Sequence, residues 1–354
     1  PTSRALRLCA RLSPSRAEGL TPRRKSATSS VTSREHTLGY GIESEPGSPQ
    51  HCVEFIMSLD PSRFLFLIAF LCLTGAQAIG APYEQHKDRV YADVHGTGLL
   101  MDVFVPNQKT NGLAIIDVAS GAWYSDRGKI RDHTLARIYD IHCERGYTVF
   151  AVRPGSRTRY TAMEMDQHVK LAIRHVKQNA AEYGIDPTRI GLTGASAGGH
   201  LATLAALTPS PAKPDSKNAL ERFDTSVRAV GVFFPPTDFV NWKDGKMGDL
   251  SVLAPLLYVG GVGSRNEADL EEKARAISPL HRVVRTDVPF LLIHGDADPV
   301  VPLQHSERLR DALIAAGGKA ELIVKAGGGH PWLTLPEEVK LLADWFDRVL
   351  PAGR

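Results

Sequence analysis

Arg189-Ile190-Gly191-Leu192-Thr193-Gly194-Ala195-Ser196-Ala197-Gly198-Gly199-His200 passes from a short apolar run into a segment of helical period. Within it, Gly194-Ala195-Ser196-Ala197-Gly198 reads Gly-x-Ser-x-Gly. A serine held on a sharp turn between a strand and a helix needs neighbours two residues away that carry no side chain. Ser196 then projects above the sheet, while the first N–H groups of the helix behind it point at the same place. The spacing alone is a weak signal in a chain with 31 Gly. Its strand–turn–helix context gives it weight, against the plainer reading of a Gly- and Ser-rich helix start.

The same rhythm extends on both sides. Strand patterns at Val90–His95 and Leu99–Val105 are joined by a Gly-containing turn. Apolar, β-branched runs follow at Leu113–Val118, Tyr147–Val152, Arg189–Thr193, Ala229–Phe234 and Phe290–His294, with another strand at Ala320–Val324. Between them lie helical periods at Ile130–Glu144, Ala162–Tyr183, Gly198–Leu207 and Leu303–Ala316, and a last helix is expected near Pro336–Val349. Strands alternating with helices predict an α/β fold, a mostly parallel sheet with helices on both faces. Such a sheet carries its site at the carboxyl ends of its strands. Pro235 to Arg285 breaks the alternation and predicts a small cap over the sheet top.

A serine placed this way needs a base, and the base needs an orienting carboxylate, in chain order Ser, acid, His. After the run Phe290–His294 comes Gly295-Asp296-Ala297-Asp298-Pro299-Val300-Val301-Pro302. Asp298, beyond the turn and stiffened by Pro299, is the candidate acid. Asp296 reads as a turn-stabilising residue, and Asp238 is a third contender. The candidate base is His330 in Ala326-Gly327-Gly328-Gly329-His330-Pro331-Trp332, on a Gly-rich loop after the last strand. A lone loop histidine is usually a solvated surface residue, but this one stands where the chemistry needs it. His200 and His294 read as packing or strand-end residues. The histidines are not spaced as a metal-ligand set, so neither metal nor cofactor is expected.

These residues resemble a family. Ala180-Ala181-Glu182-Tyr183-Gly184-Ile185-Asp186-Pro187, the segment Ser196 to Ala202, and His294 to Pro302 together with His330 are similar to α/β-hydrolase esterases of the carboxylesterase and hormone-sensitive-lipase-like kind. The likeness runs from about Leu99 to the C-terminus. It implies an α/β-hydrolase fold and a serine hydrolase of carboxylic esters, acting through an acyl-enzyme on Ser196, with Asp298 and His330. Those relatives carry His-Gly-Gly-Gly-Trp after the third strand, which supplies N–H donors to the oxyanion. This chain has Ala119-Ser120-Gly121-Ala122-Trp123 there. The resemblance implies Gly121, Ala122 and Ala197 as donors, with Ala122 kept out of the φ > 0 conformations that glycine tolerates. Trp123 and Trp332 flank the motifs and are expected either to line the substrate pocket or to pack in the core. An aryl-formamidase or a peptidase shares this triad, and a catalytically silent ligand-binding module on the same fold is the alternative of another class.

Residues 1–56 mix Ser, Pro and Arg without apolar periodicity, and the first Met is Met57. This stretch reads as a non-native or disordered leader, or as a targeting peptide. Arg63 precedes an apolar run from Phe64 to Leu73 that ends in Ala76-Gln77-Ala78, so 57–78 reads as a signal peptide. An N-terminal anchor or a buried apolar segment is the alternative. The remainder, 79–354, is then one catalytic domain, secreted or periplasmic, with no stable membrane span. Nine of the 42 Lys and Arg and six of the 39 Asp and Glu precede Ile79, which leaves 33 of each. A neutral remainder gives no argument for a nucleic-acid partner. Of the four cysteines only Cys143 follows Ile79, so no disulfide closes within that part. The expected partner is a small-molecule or carbohydrate ester, such as acetyl or feruloyl groups on plant polysaccharides; the oligomeric state is not legible.

Overall fold

A computed structural model describes residues 80–350 except Glu267. The expectations for 1–56 and 57–78 fall outside the described residues. The described residues belong to one compact unit. Eight strands form one sheet: β1 (Tyr83–Val94), β2 (Thr97–Pro106), β3 (Ala114–Val118), β4 (Thr148–Arg153), β5 (Ile190–Ala195), β6 (Ala229–Phe233), β7 (Phe290–Gly295) and β8 (Ala320–Lys325). Their spatial order is β1-β2-β4-β3-β5-β6-β7-β8. β2 is antiparallel to β1 and to β4, and every other neighbouring pair is parallel.

Successive side chains in a strand point to opposite faces, and here both faces are buried. On β4, Phe150 and Val152 join one apolar cluster, while Val149 and Ala151 join the other. The first cluster is closed by helices α3 (Ala162–Gln178), α4 (Ala197–Leu207) and α7 (Gln304–Ala315), the second by α1 (Arg127–Leu135), α2 (Ile138–Cys143) and α8 (Leu335–Val349). The chain therefore has the α/β-hydrolase fold, with helices on both faces. The α3 helix starts in a capping box, in which Glu164 accepts the Thr161 N–H at 2.7 Å and Thr161 Oγ accepts the Glu164 N–H.

β1 begins at Tyr83, seven residues before the expected Val90, and two helix boundaries also differ from the sequence reading. The single helix expected over Ile130–Glu144 is two, broken where Arg137 takes φ +60° and its N–H turns back to the Thr134 carbonyl. No Gly or Pro marks that break, so helical periodicity ran across it. The helix expected over Ala162–Tyr183 stops at Gln178, where the backbone closes into turns through Asn179. The segment Pro235–Arg285 carries α5 (Leu250–Leu257) and α6 (Leu270–Ile277), flanked by 3-10 turns at Gly261–Ser264 and Pro279–Arg282. Among the described residues, no helix is long and apolar enough to cross a membrane.

Three buried histidines are held neutral. Burial pulls His142, His200 and His305 down to about 4. The unfolded chain takes up those protons near pH 6.5, while the folded protein refuses them until about pH 4. Stability is therefore fully present above 6.5 and falls as the pH drops through that window. The expected outcome is a melting temperature that declines steadily from pH 7 to pH 4.5 in calorimetry. A midpoint independent of pH over that range would contradict it.

Candidate functional site

The chain leaves β5 and enters α4 through a single residue. Ser196 has φ +51° and ψ −119°, a conformation that non-glycine residues rarely adopt. Its N–H donates to the Phe233 carbonyl at 2.9 Å, and its own carbonyl accepts from His200 N–H at 2.9 Å. The two flanking glycines are required by contact. A Cβ on Gly198 would lie 2.1 Å from the Val118 carbonyl oxygen, and one on Gly194 would lie 2.6 Å from the Gly198 carbonyl carbon. Helix α4 is thus pressed directly onto the end of β3, which leaves the Ser196 hydroxyl at the sheet top.

Two loops, one after β7 and one after β8, reach it. His330 Nε2 lies 2.8 Å from Ser196 Oγ, and His330 Nδ1 lies 2.6 Å from Asp298 Oδ2. The carboxylate can only accept, so Nδ1 carries a proton and Nε2 is left to accept the serine hydroxyl. Asp298 Oδ1 accepts from the Val300 and Val301 N–H groups at 2.8 and 2.9 Å, and His294 Nε2 stands 3.4 Å from Oδ2. Burial by itself would raise the pKa of this carboxyl. The hydrogen bonds from His294, His330 and the Val301 amide outweigh burial and hold it far below the usual carboxylate range. Asp298 is therefore an anion in its place below the imidazole.

The other carboxylates are engaged elsewhere. Asp296 accepts from the Gly327 N–H at 2.7 Å, which ties the acid-bearing loop to the His330 loop. Asp238 takes the Val240 and Asn241 amides at 3.1 Å, with His281 at 3.2 Å and Arg308 at 2.7 Å.

The loop after β3 corrects two expectations. Gly121 N–H donates to the Tyr124 carbonyl at 3.0 Å, while Tyr124 N–H returns to Gly121 O at 2.9 Å. The Gly121 amide is spent inside that small bridge and does not serve an oxyanion in this geometry. Ala122 does not avoid positive φ: it takes φ +48°, and Trp123 follows at +59°. Each such residue costs on the order of 1–3 kcal/mol, which the surrounding contacts have to offset. Among the described residues, no backbone acceptor takes the Ala122 or Ala197 N–H.

Ser196 and His330 open on a cavity of about 1040 Å³, walled by Trp123, Phe234, Phe239, Trp242, Val252 and Trp332 among others. Both tryptophans singled out in the sequence thus line the cavity, and both are also packed. Trp332 Nε1 donates to Glu338 at 2.7 Å, and Trp123 Nε1 donates to His200 at 3.0 Å. Sequence reasoning missed Phe234, whose ring lies 4.4 Å from that of His330 and limits its swing. Its only signal was its place at the end of an apolar run. No group of three or more His, Cys, Asp or Glu among the described residues is placed to hold a metal.

An α/β-hydrolase sheet with Ser, His and Asp joined in series at its top defines the class. The BD-FAE family model matches residues 101–313, and the chain belongs to that family. Its sequence is 30% identical over 234 residues to the probable carboxylic ester hydrolase LipM of Mycobacterium tuberculosis, covering 65% of this chain and 52% of that protein. It is 27% identical over 294 residues to the isoprenylcysteine α-carbonyl methylesterase ICME of Arabidopsis thaliana, covering 77% and 63%. The chain spans about half the length of LipM and of the esterase LipQ, 52% and 51%. Among solved structures, a truncated carbohydrate esterase from gut microbiota superposes with a TM-score of 0.65 at 29% identity, covering 76% of this chain and 97% of that one.

Gly198→Ala tests the packing that exposes the serine. The added methyl meets a backbone oxygen that cannot rotate away, so the expected loss is several kcal/mol of stability, at or above the upper end of about 1–3 for overpacking. Thermal melting checks it; an unchanged midpoint would show that α4 does not sit as close to β3 as described.

Proposed function

We propose that this protein is a serine hydrolase that cleaves carboxylic esters through an acyl-enzyme intermediate. The observation that carries the reading is the unbroken series Ser196 Oγ, His330 Nε2, His330 Nδ1 and Asp298 Oδ2, linked at 2.8 and 2.6 Å. In the first half of the cycle Nε2 takes the hydroxyl proton as Ser196 Oγ attacks the ester carbonyl, and Asp298 steadies the imidazolium that forms. The oxyanion is held by the Ala122 and Ala197 amides, the two that have no other backbone acceptor. One well-aimed donor of this kind contributes about 3 kcal/mol in the transition state. His330 then gives the proton to the leaving alcohol, which departs. In the second half it activates water to release the acid and free Ser196.

The substrate class we infer is an acyl ester of modest chain length, including esters carried on carbohydrate. Two facts support the carbohydrate-borne part of this reading: the 29% identity to a carbohydrate esterase, and an aromatic-walled cavity of about 1040 Å³, which leaves room for a sugar beside a short acyl group. The apolar run Phe64–Leu73 ending in Ala76-Gln77-Ala78 supports export, where such substrates lie outside the cell.

The test is hydrolysis of p-nitrophenyl acetate, butyrate and octanoate by the full-length chain beside Ser196→Ala. The expected result is turnover by the wild type and a drop of roughly 10⁴-fold or more in the variant, with acetate or butyrate preferred to octanoate. Wild-type rates surviving in Ser196→Ala would overturn the mechanism. A folded wild type that ignores all three esters yet cleaves an N-formyl arylamine would move the reading to amide hydrolysis.

A further inference from the structure

The strained pair Ala122–Trp123 has to be held by something, and the contacts that hold it can be followed. Gly121 and Tyr124 bridge its two ends, and Arg157 N–H donates to the Trp123 carbonyl at 2.8 Å. The third restraint is a side chain: Trp123 Nε1–H donates to His200 Nδ1 at 3.0 Å, in a buried pair. On the far side of the same ring, His200 Nε2 meets the Ile277 carbonyl at 2.7 Å.

The protonation of this imidazole follows from its two partners. An indole N–H can only donate and a backbone carbonyl can only accept. His200 is therefore neutral, with its proton on Nε2 and a lone pair on Nδ1 facing the indole. His200 also lies one helical turn after Ser196, and its N–H donates to the Ser196 carbonyl at 2.9 Å. One ring thus links the helix behind the nucleophile, the loop after β3 and the end of α6. Phe239 closes the assembly, with its ring 4.9 Å from His200 and 5.8 Å from Trp123.

We propose that His200 is a positioning residue for ester hydrolysis, holding the left-handed Ala122–Trp123 turn through the Trp123 indole so that the Ala122 N–H stays aimed at the oxyanion. This rests on the serine-hydrolase reading above and adds a residue to it. The sequence had suggested only packing for His200.

The test uses full-length enzyme and p-nitrophenyl acetate. His200→Gln keeps a donor for the Ile277 carbonyl and removes the acceptor for the indole. His200→Asn places an amide oxygen near the position of Nδ1 and restores that acceptor. Trp123→Phe keeps an aromatic ring and removes the donor together with the pyrrole part of the indole. The expected result is a fall in kcat of roughly tenfold to a hundredfold in His200→Gln and in Trp123→Phe, with KM within about twofold. His200→Asn recovers most of the loss. The double variant is no slower than either single one, because both remove the same bond. Losses that multiply in the double variant, equal losses in His200→Gln and His200→Asn, or a rise in KM at constant kcat would each overturn the proposal. If His200→Gln fails to fold, an undiminished kcat in Trp123→Phe overturns it alone. Failure of the serine-hydrolase reading looks different, since Ser196→Ala would then keep its turnover.

Discussion

The approach of α4 to the end of β3 is the constraint on which the rest of the site depends. With only a hydrogen on Gly198 facing the Val118 carbonyl, the helix can begin immediately beyond the strand. Ser196 is then forced into a left-handed turn that no solvent-exposed loop would keep. The Gly198 N–H also fixes the Ser120 carbonyl at 3.0 Å, so the same contact that raises Ser196 sets the start of the loop after β3. The Ser196 hydroxyl and the loop after β3 are thereby placed relative to each other by backbone, which is stiffer than any side-chain hinge.

The acid and the base are brought together in a comparable way. Gly295 at the end of β7 touches Gly328, where a Cβ would come 2.1 Å from the carbonyl oxygen, and Ala297 N–H donates to that oxygen at 3.0 Å. The loops that carry Asp298 and His330 therefore lie against one another without intervening side chains. Asp296 adds a further tie by accepting from Gly327. Below them, His294 bonds the Val301 carbonyl at 2.8 Å and faces Ser306 at 2.7 Å, which holds the acid loop from beneath.

Much of this was legible in the residues, and the reasons can be named. The central strands β3 to β7 were visible because buried parallel strands are short, apolar and β-branched, a pattern that does not depend on distant partners, while β1 and β2 showed as a pair joined by a Gly-containing turn. Ser196, Asp298 and His330 stood out because each follows a strand end within a turn marked by Gly or Pro: Gly194 and Gly198 two residues either side of Ser196, Pro299 beside Asp298, and Gly329 and Pro331 beside His330. The break at Arg137 left no such mark, since an arginine in the left-handed region is fixed by its surroundings. The engagement of the Gly121 amide by Tyr124 was equally hidden, because a backbone hydrogen bond three residues long has no signature in side-chain chemistry. His200 looked like core packing because its two partners, Trp123 and Ile277, are each 77 positions away in the chain.

The position of β8 at the margin of the sheet separates the endurance of the fold from that of the activity. This strand has a neighbour on one side only and is largely half-buried or exposed, whereas β3, β5 and β6 are flanked on both sides. Protein structures open in pieces, and edge elements open at lower free energy than central ones. The loop bearing His330 follows β8 directly, so a local departure of that edge would remove the imidazole while Ser196, set at the middle of the sheet, kept its geometry. Ser196 therefore stands in the middle of the sheet and His330 beside its margin, so under mild denaturing stress the two would part before the core is lost.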